Sequence, residues 1–220
     1  MKTNVQSQSA VEYWCRKFES FFEKRANSIL QIFEAKGCRE GWLQGEMFLH
    51  FAGRWPSVWC NHHPLEEGGK VDLAAYSSAI DDVNKKPSLV GELKMLRLDY
   101  QGKNITGRHK DAHILRETLE RSGRQSLIVK DDPETRLAKD RGHNSLFRDY
   151  LRLIDAGFEY PVLRVLILVL DLRNAKEEND AGFLLKRIEF ERKGEDLFKS
   201  ESLWVRAWFL HGRKHVRKAA

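Results

Sequence analysis

The clearest pattern of hydrophobic and polar positions lies in the first 40 residues. Large apolar side chains recur there every three or four residues, which is the spacing of one face of an amphipathic helix. Ser9 and Glu12 have the spacing of a capping box, so they predict that the helix begins at Ser9, and Gly37 predicts its end. The apolar positions are Trp14, Phe18, Phe21, Phe22, Ile29, Ile32 and Phe33. We expect this helix, residues 1–38, to pack on the core domain or on a second subunit.

A second helix is predicted over residues 39–52, at the start of a domain that we expect to extend over residues 39–220. Steps of 100° per residue place Glu46 in the centre of an apolar face; its neighbours there are Trp42, Leu43, Leu49 and His50. A carboxylate in such a position needs a partner. It either contributes to a functional site or forms an ion pair with Arg54 or another basic residue.

Further along the chain, the pattern changes to short runs typical of strands. The predicted strands are 57–63, 71–76, 88–96, 162–172, 186–192 and 202–210, with a polar connection at 80–88 and a turn at 192–196. The run 162–172, VLRVLILVLDL, is almost entirely aliphatic, as in a strand covered on both faces. A helix at 144–157 precedes it, and a helical crossover predicts that 162–172 lies parallel to 88–96. The expected fold class is therefore α/β, with a central mixed sheet flanked by helices and with added C-terminal strands.

Composition narrows the class of protein. The chain has 220 residues, long enough for one domain with a substantial core. Its net charge is +6, which is compatible with binding a polyanion. Three cysteines without CxxC spacing predict neither a disulfide framework nor a zinc site, so we expect reduced thiols in a cytoplasmic protein. The N-terminus has no apolar core of a signal peptide, and the longest apolar run, 165–170, is too short to span a bilayer.

Three charged residues interrupt two of the apolar strands. Asp72 lies between Val71 and Leu73, whereas Glu92 and Lys94 share one face of the next strand because side chains alternate. If these strands are neighbours, the two carboxylates converge and repel each other by roughly 3 kcal/mol at about 5 Å. A cation between them, or a proton on one, removes that repulsion. Two facing carboxylates favour a hard divalent ion such as Mg²⁺.

An Asp that opens one strand, followed 20 positions later by Glu-x-Lys in the next, resembles the PD-(D/E)XK nuclease superfamily. The resemblance covers about residues 40–172 and departs from the motif at Val71, where the motif has proline. It implies a restriction-endonuclease-like core, in the order helix, three strands, helix, strand. A solvent-exposed Glu and Lys on an edge strand, with Asp as a turn residue, is the structural alternative.

The resemblance also implies an activity, namely Mg²⁺-dependent hydrolysis of the phosphodiester bonds of DNA, with Mn²⁺ able to substitute. Asp72, Glu92 and the backbone carbonyl of Leu93 would bind the metal, Glu46 would complete or tune its shell, and Lys94 would orient the attacking water. The substrate is expected to be double-stranded in a restriction or defence enzyme, or branched in a repair or recombination enzyme. A non-catalytic nucleic-acid-binding protein that keeps the nuclease fold is the alternative.

Basic segments and exposed strands suggest partners. Lys103, Arg108 and Lys110 follow the Glu92 strand in a segment that either contacts a phosphate backbone or is an ordinary solvated loop. The tail 211–220 is basic and could lend nonspecific affinity for phosphates. The first helix or the C-terminal strands could form a homodimer interface.

Overall fold

The computed structural model of the protein describes residues 3–35, 39–53, 55–62, 70–99, 146–155, 158, 161–174 and 194–210. The basic segment at Lys103–Lys110, the predicted strand 186–192 and the basic tail 211–220 lie outside these described residues. The elements are α1 (Thr3–Ile32), α2 (Arg39–Phe51), β1 (Ser57–His62), β2 (Val71–Tyr76), α3 (Ala79–Val83), β3 (Leu89–Asp99), α4 (Leu146–Asp155), β4 (Leu163–Asn174), β5 (Glu195–Lys199) and β6 (Leu203–Leu210).

The six strands form one mixed sheet in the order β1-β2-β3-β4-β6-β5. Strands β3 and β4 are parallel, with Glu92 level with Leu166, and the other neighbouring pairs are antiparallel. The predicted α/β class with a central mixed sheet is confirmed, and so is the parallel pairing of the Glu92 strand with the aliphatic strand. The central position of β4 followed from its aliphatic sequence, because a strand this apolar has to be covered on both faces. The parallel pairing followed from the helical crossover that precedes β4.

Each face of the sheet has its own apolar core. Helices α1 and α2 pack on one face, where the aromatic side chains Phe18, Phe21 and Phe22 of α1 are fully buried with alternate residues of β4 and β6. Helix α4 packs on the other face, against the remaining residues of the same strands. The α4 face is also the side of β3 that carries Glu92 and Lys94 between Val90 and Leu96. None of the helices in the described ranges is long and apolar enough to cross a membrane.

Helix α1 begins six residues earlier than predicted, at Thr3. Ser9 therefore lies inside the helix, and the predicted capping box at Ser9 is wrong. No glycine or proline precedes Ser9, so nothing in the residues before it stops the helix. Instead Glu12 accepts a hydrogen bond from the side chain of Gln8, at 3.3 Å.

Two connections also differ from the prediction. The five-residue helix α3 overlaps the segment 80–88; it begins after Ser78 because the Ser78 hydroxyl accepts the backbone N–H of Asp81. Strand β5 starts at Glu195, inside the predicted turn 192–196. The turn into β6 lies instead at Ser200–Ser202, where the Ser200 hydroxyl accepts the N–H of Leu203 at 3.1 Å.

Gly91, directly before Glu92, lies against β4 with no room for a side chain. A Cβ there would come within 2.8 Å of Val165 Cγ1 and 3.0 Å of the Val165 carbonyl oxygen. We expect Gly91→Ala to lower the free energy of unfolding by about 1–3 kcal/mol, because the strands must move apart. Urea unfolding measures this.

The matched control is Gly45→Ala in α2, where an added Cβ meets nothing within 4 Å. Alanine is the better helix former, so this change should stabilise the protein by up to about 1 kcal/mol. Equal effects of the two substitutions would contradict the close packing of β3 on β4.

Candidate functional site

The structure brings Asp72, Glu92 and Lys94 together where β2 and β3 separate. The ladder between these strands reaches the pair Leu73 and Gly91. Beyond that pair, Asp72 Oδ2 accepts the backbone N–H of Leu93 at 2.8 Å, so a side chain takes the place of a strand carbonyl. In an antiparallel ladder, the N–H and C=O of one residue point to the same side. The carbonyl of Leu93 therefore faces the same gap as Asp72.

Gln44 of α2 fixes the other oxygen of Asp72. Its Nε2 donates to Asp72 Oδ1 at 2.9 Å, so both carboxylate oxygens are held by N–H donors from different elements. Sequence reasoning missed Gln44. The available signal was its position four residues after Glu40, which places both on one side of α2.

Glu92 is almost completely buried, and its carboxyl group contacts Arg152 of α4 at 2.9 Å. The pKa of Glu92 is raised to about 9, mainly because its carboxyl group is buried and also because the negative charge of Asp72 lies close to it, whereas Arg152 lowers it. The protonated, neutral form of Glu92 is therefore favoured near neutral pH.

Lys94 remains an ammonium ion despite its burial. Its Nζ lies 3.4 Å from Glu40 Oε1 and 3.7 Å from Asp149 Oδ2. Burial alone lowers the pKa of Lys94, but Asp149 and Glu40 outweigh it, and the net shift is upward. A lysine that holds its proton this firmly can donate hydrogen bonds and balance negative charge, but it cannot accept a proton from water near neutral pH.

Asp149 of α4 and Glu40 of α2 are site carboxylates that sequence reasoning missed. Burial raises the pKa of Asp149 to about 6, although Lys94 and Arg152 both lower it. Asp149 borders the apolar face of α4, next to Leu153 on the helical wheel, so the argument applied to Glu46 would have drawn attention to it. Glu40 also accepts the backbone N–H of Met95, at 3.2 Å.

Glu46 is not brought together with the other predicted site residues. It is rotated about 200° around α2 from Gln44, and its carboxylate pairs with Arg25 of α1 at 3.2 Å. This geometry corresponds to the ion pair that the sequence left open, with Arg25 as the basic partner. Helix α2 packs both on the sheet, through Leu43 and Met47, and on α1, so a wheel diagram could not tell which apolar side faced the site.

The site contains more carboxyl groups than cations. Four carboxyl groups, Glu40, Asp72, Glu92 and Asp149, surround two cations, Lys94 and Arg152. Fully ionised, the cluster would carry two excess negative charges, and a proton on Glu92, whose pKa is raised to about 9, offsets one of them. The cluster thus attracts additional positive charge.

In the described ranges, no group of three or more His, Cys, Asp or Glu side chains is arranged to chelate a metal ion. Mg²⁺ does not require three such side chains, because one or two carboxylates commonly hold it while waters or substrate phosphates fill its other positions. Asp72, Glu92 and the Leu93 carbonyl are oxygen donors of the kind that Mg²⁺ prefers. Asp72 accepts the N–H of Leu93, the residue after Glu92, so the two carboxyl groups lie close together and this donor set fits the ion.

Comparisons with known proteins do not assign the chain to a family. The chain matches no protein-family model, no curated protein and no solved structure. The function therefore has to be inferred from the chemistry of the Asp72–Glu92–Lys94 cluster itself.

Proposed function

We propose that the chain is a metal-dependent endonuclease that hydrolyses phosphodiester bonds of DNA, with a restriction-endonuclease-like core. One observation carries the proposal: Asp72 accepts the N–H of Leu93, which lies between Glu92 and the buried Lys94, so two carboxyl groups and an ammonium group lie together where β2 and β3 separate. Such a group of charges is unfavourable in a protein interior unless it has a use.

The order of elements supports the same proposal. Apart from the five-residue helix α3, the described elements from α2 to β4 occur in the order α2, β1, β2, β3, α4 and β4, with β4 parallel to β3. This is the order helix, three strands, helix, strand that the resemblance implies. The candidate site lies where β2 and β3 separate, and α2 and α4 both contribute side chains to it.

Each residue has a proposed contribution. Asp72, Glu92 and the Leu93 carbonyl would hold Mg²⁺ or Mn²⁺, which supplies polarisation of the phosphoryl oxygen and a lowered pKa of a bound water. Lys94 orients that water or stabilises the negative charge that develops on the phosphate. Glu40 and Asp149 hold the Lys94 ammonium group in position, and Gln44 orients Asp72.

A second candidate is a nucleic-acid-binding protein that keeps this fold without cleaving. The contact of Arg152 with Glu92 favours it, because a guanidinium group that stayed there would replace the metal permanently.

A cleavage assay separates the two candidates. We expect the purified protein to cut DNA in the presence of Mg²⁺ or Mn²⁺ and not in EDTA, and duplex, branched and single-stranded substrates identify the preferred form. Glu92→Gln should remove the cleavage, whereas Glu46→Gln should retain it, because Glu46 pairs with Arg25 away from the cluster. Salt-sensitive DNA binding without cleavage of any substrate would favour the binding protein.

A further inference from the structure

Arg152 contacts the most buried acidic residue of the candidate site. Its Nη2 lies 2.9 Å from Glu92 Oε1 and donates to the carbonyl oxygen of Lys70 at 2.6 Å, and its Nη1 lies 3.8 Å from Asp149. The guanidinium group, which is carried by α4, therefore connects Lys70, the residue before β2, to Glu92, the proposed metal ligand on β3. We propose that Arg152 is a built-in competitor of the divalent ion for Glu92, and that it sets the metal concentration at which the site is loaded. This inference rests on the proposed function.

The two partners differ in their freedom to move. The side chain of Arg152 is 40% exposed, whereas that of Glu92 is 3% exposed. Arginine is a long side chain on the surface of α4 and can swing into solvent without disturbing the core. Lys94 differs from it, because its side chain is 11% exposed and is held between two carboxylates. Arg152 is thus the cation of the site that a metal ion can displace.

Arg152 and the metal ion compete because both would bind the carboxyl group of Glu92. A guanidinium group at hydrogen-bond distance occupies the Glu92 oxygen that a metal ion would contact, and its positive charge repels the ion. Only the protein molecules in which Arg152 has moved away can bind the metal ion. The apparent dissociation constant for the metal equals the intrinsic constant divided by the fraction of such molecules. A divalent ion attracts the surrounding carboxylates more strongly than a single guanidinium charge does, so it can displace the arginine at sufficient concentration.

The test is calorimetric titration of the protein with Mn²⁺ in the absence of nucleic acid. Arg152→Gln keeps a hydrogen-bond donor for Lys70 but removes the charge, and it should bind Mn²⁺ about 10-fold more tightly than the wild type. The single ammonium nitrogen of Arg152→Lys cannot make the separate Nη1 and Nη2 contacts, so this variant should bind Mn²⁺ with intermediate affinity. The matched control is Arg16→Gln, which removes the same charge from an exposed position of α1 and should leave Mn²⁺ affinity unchanged.

The possible outcomes distinguish the two proposals. If the wild type binds Mn²⁺ and both Arg152 variants bind it equally or more weakly, Arg152 is not a competitor, and the proposed nuclease function stands. If neither the wild type nor any variant binds Mn²⁺, the proposed function fails and this inference fails with it. If Arg152→Gln does not fold, Arg152→Lys decides alone, since an unchanged or weaker affinity in that variant overturns the inference.

Discussion

Lys94→Met is expected to abolish DNA cleavage and also to destabilise the protein by about 3 kcal/mol. Methionine fills the space of the lysine stem but leaves Glu40 and Asp149 without the cation that lies between them. Loss of a hydrogen-bond donor that acts on developing charge should lower the cleavage rate by about 10²–10³-fold. Urea unfolding and a cleavage assay with Mn²⁺ measure the two effects separately.

A second substitution shows which effect is structural. In Lys94→Met/Asp149→Asn, the more buried of the two carboxylates that lost their cation becomes a neutral amide, so part of the lost stability should return. Cleavage should not return. If activity recovered together with stability, Lys94 would be a structural residue, and the proposed chemistry would need another group.

Asp72→Asn is expected to have the opposite effect on stability. The raised pKa of Glu92 means that the folded state binds a proton more tightly than the unfolded state between about pH 4.5 and 9. Without added metal, stability should therefore fall as pH rises through this range. Removing the negative charge of Asp72 lowers the pKa of Glu92, weakens this dependence and should stabilise the protein by about 1–2 kcal/mol at pH 8. Asparagine can still accept the N–H of Leu93.

The same substitution should abolish the function. Wild-type protein should gain melting temperature with millimolar Mn²⁺, since an ion that binds only the folded state stabilises it. Asp72→Asn should lose both this gain and cleavage, whereas Glu195→Gln, an exposed carboxylate of β5, should keep them. An undiminished loss of stability with rising pH in Asp72→Asn would show that Asp72 and Glu92 are not coupled.

Most of the strands and their charges could be predicted from the sequence, because alternation along a strand leaves few choices. Strand β5 is the exception, since it starts inside a predicted turn. Once β3 was recognised, Glu92 and Lys94 had to share a face, and the aliphatic β4 had to lie inside the sheet. The position of Asp72 beside β3 could also be predicted, since a short polar connection joins β2 to β3. These predictions depended on period-two patterns within each strand and on one crossover.

The helical contributions could not be predicted with the same certainty. A helix can be rotated about its axis and can pack on two partners, as α2 does on the sheet and on α1. Glu46 occupied the centre of the apolar face on the wheel, yet Glu40 and Gln44 are the residues that reach the site. Whether Asp149 and Arg152 reach the site depends on how α4 is placed on the sheet. No pattern within α4 specifies this placement.

The packing of α1 has a consequence for synthesis of the chain. Its buried aromatic side chains, Phe18, Phe21 and Phe22, belong to an apolar core completed by β5 and β6, which are made more than 160 residues later. On the ribosome, this aromatic surface can contact α2 early, but its partners in the sheet are missing until β4, β5 and β6 emerge. Such a surface promotes aggregation. We therefore expect the yield of folded protein to depend on chaperones and on a low growth temperature, even if the folded protein is stable. Truncation before β6 should yield insoluble protein even though every residue of the candidate site is present.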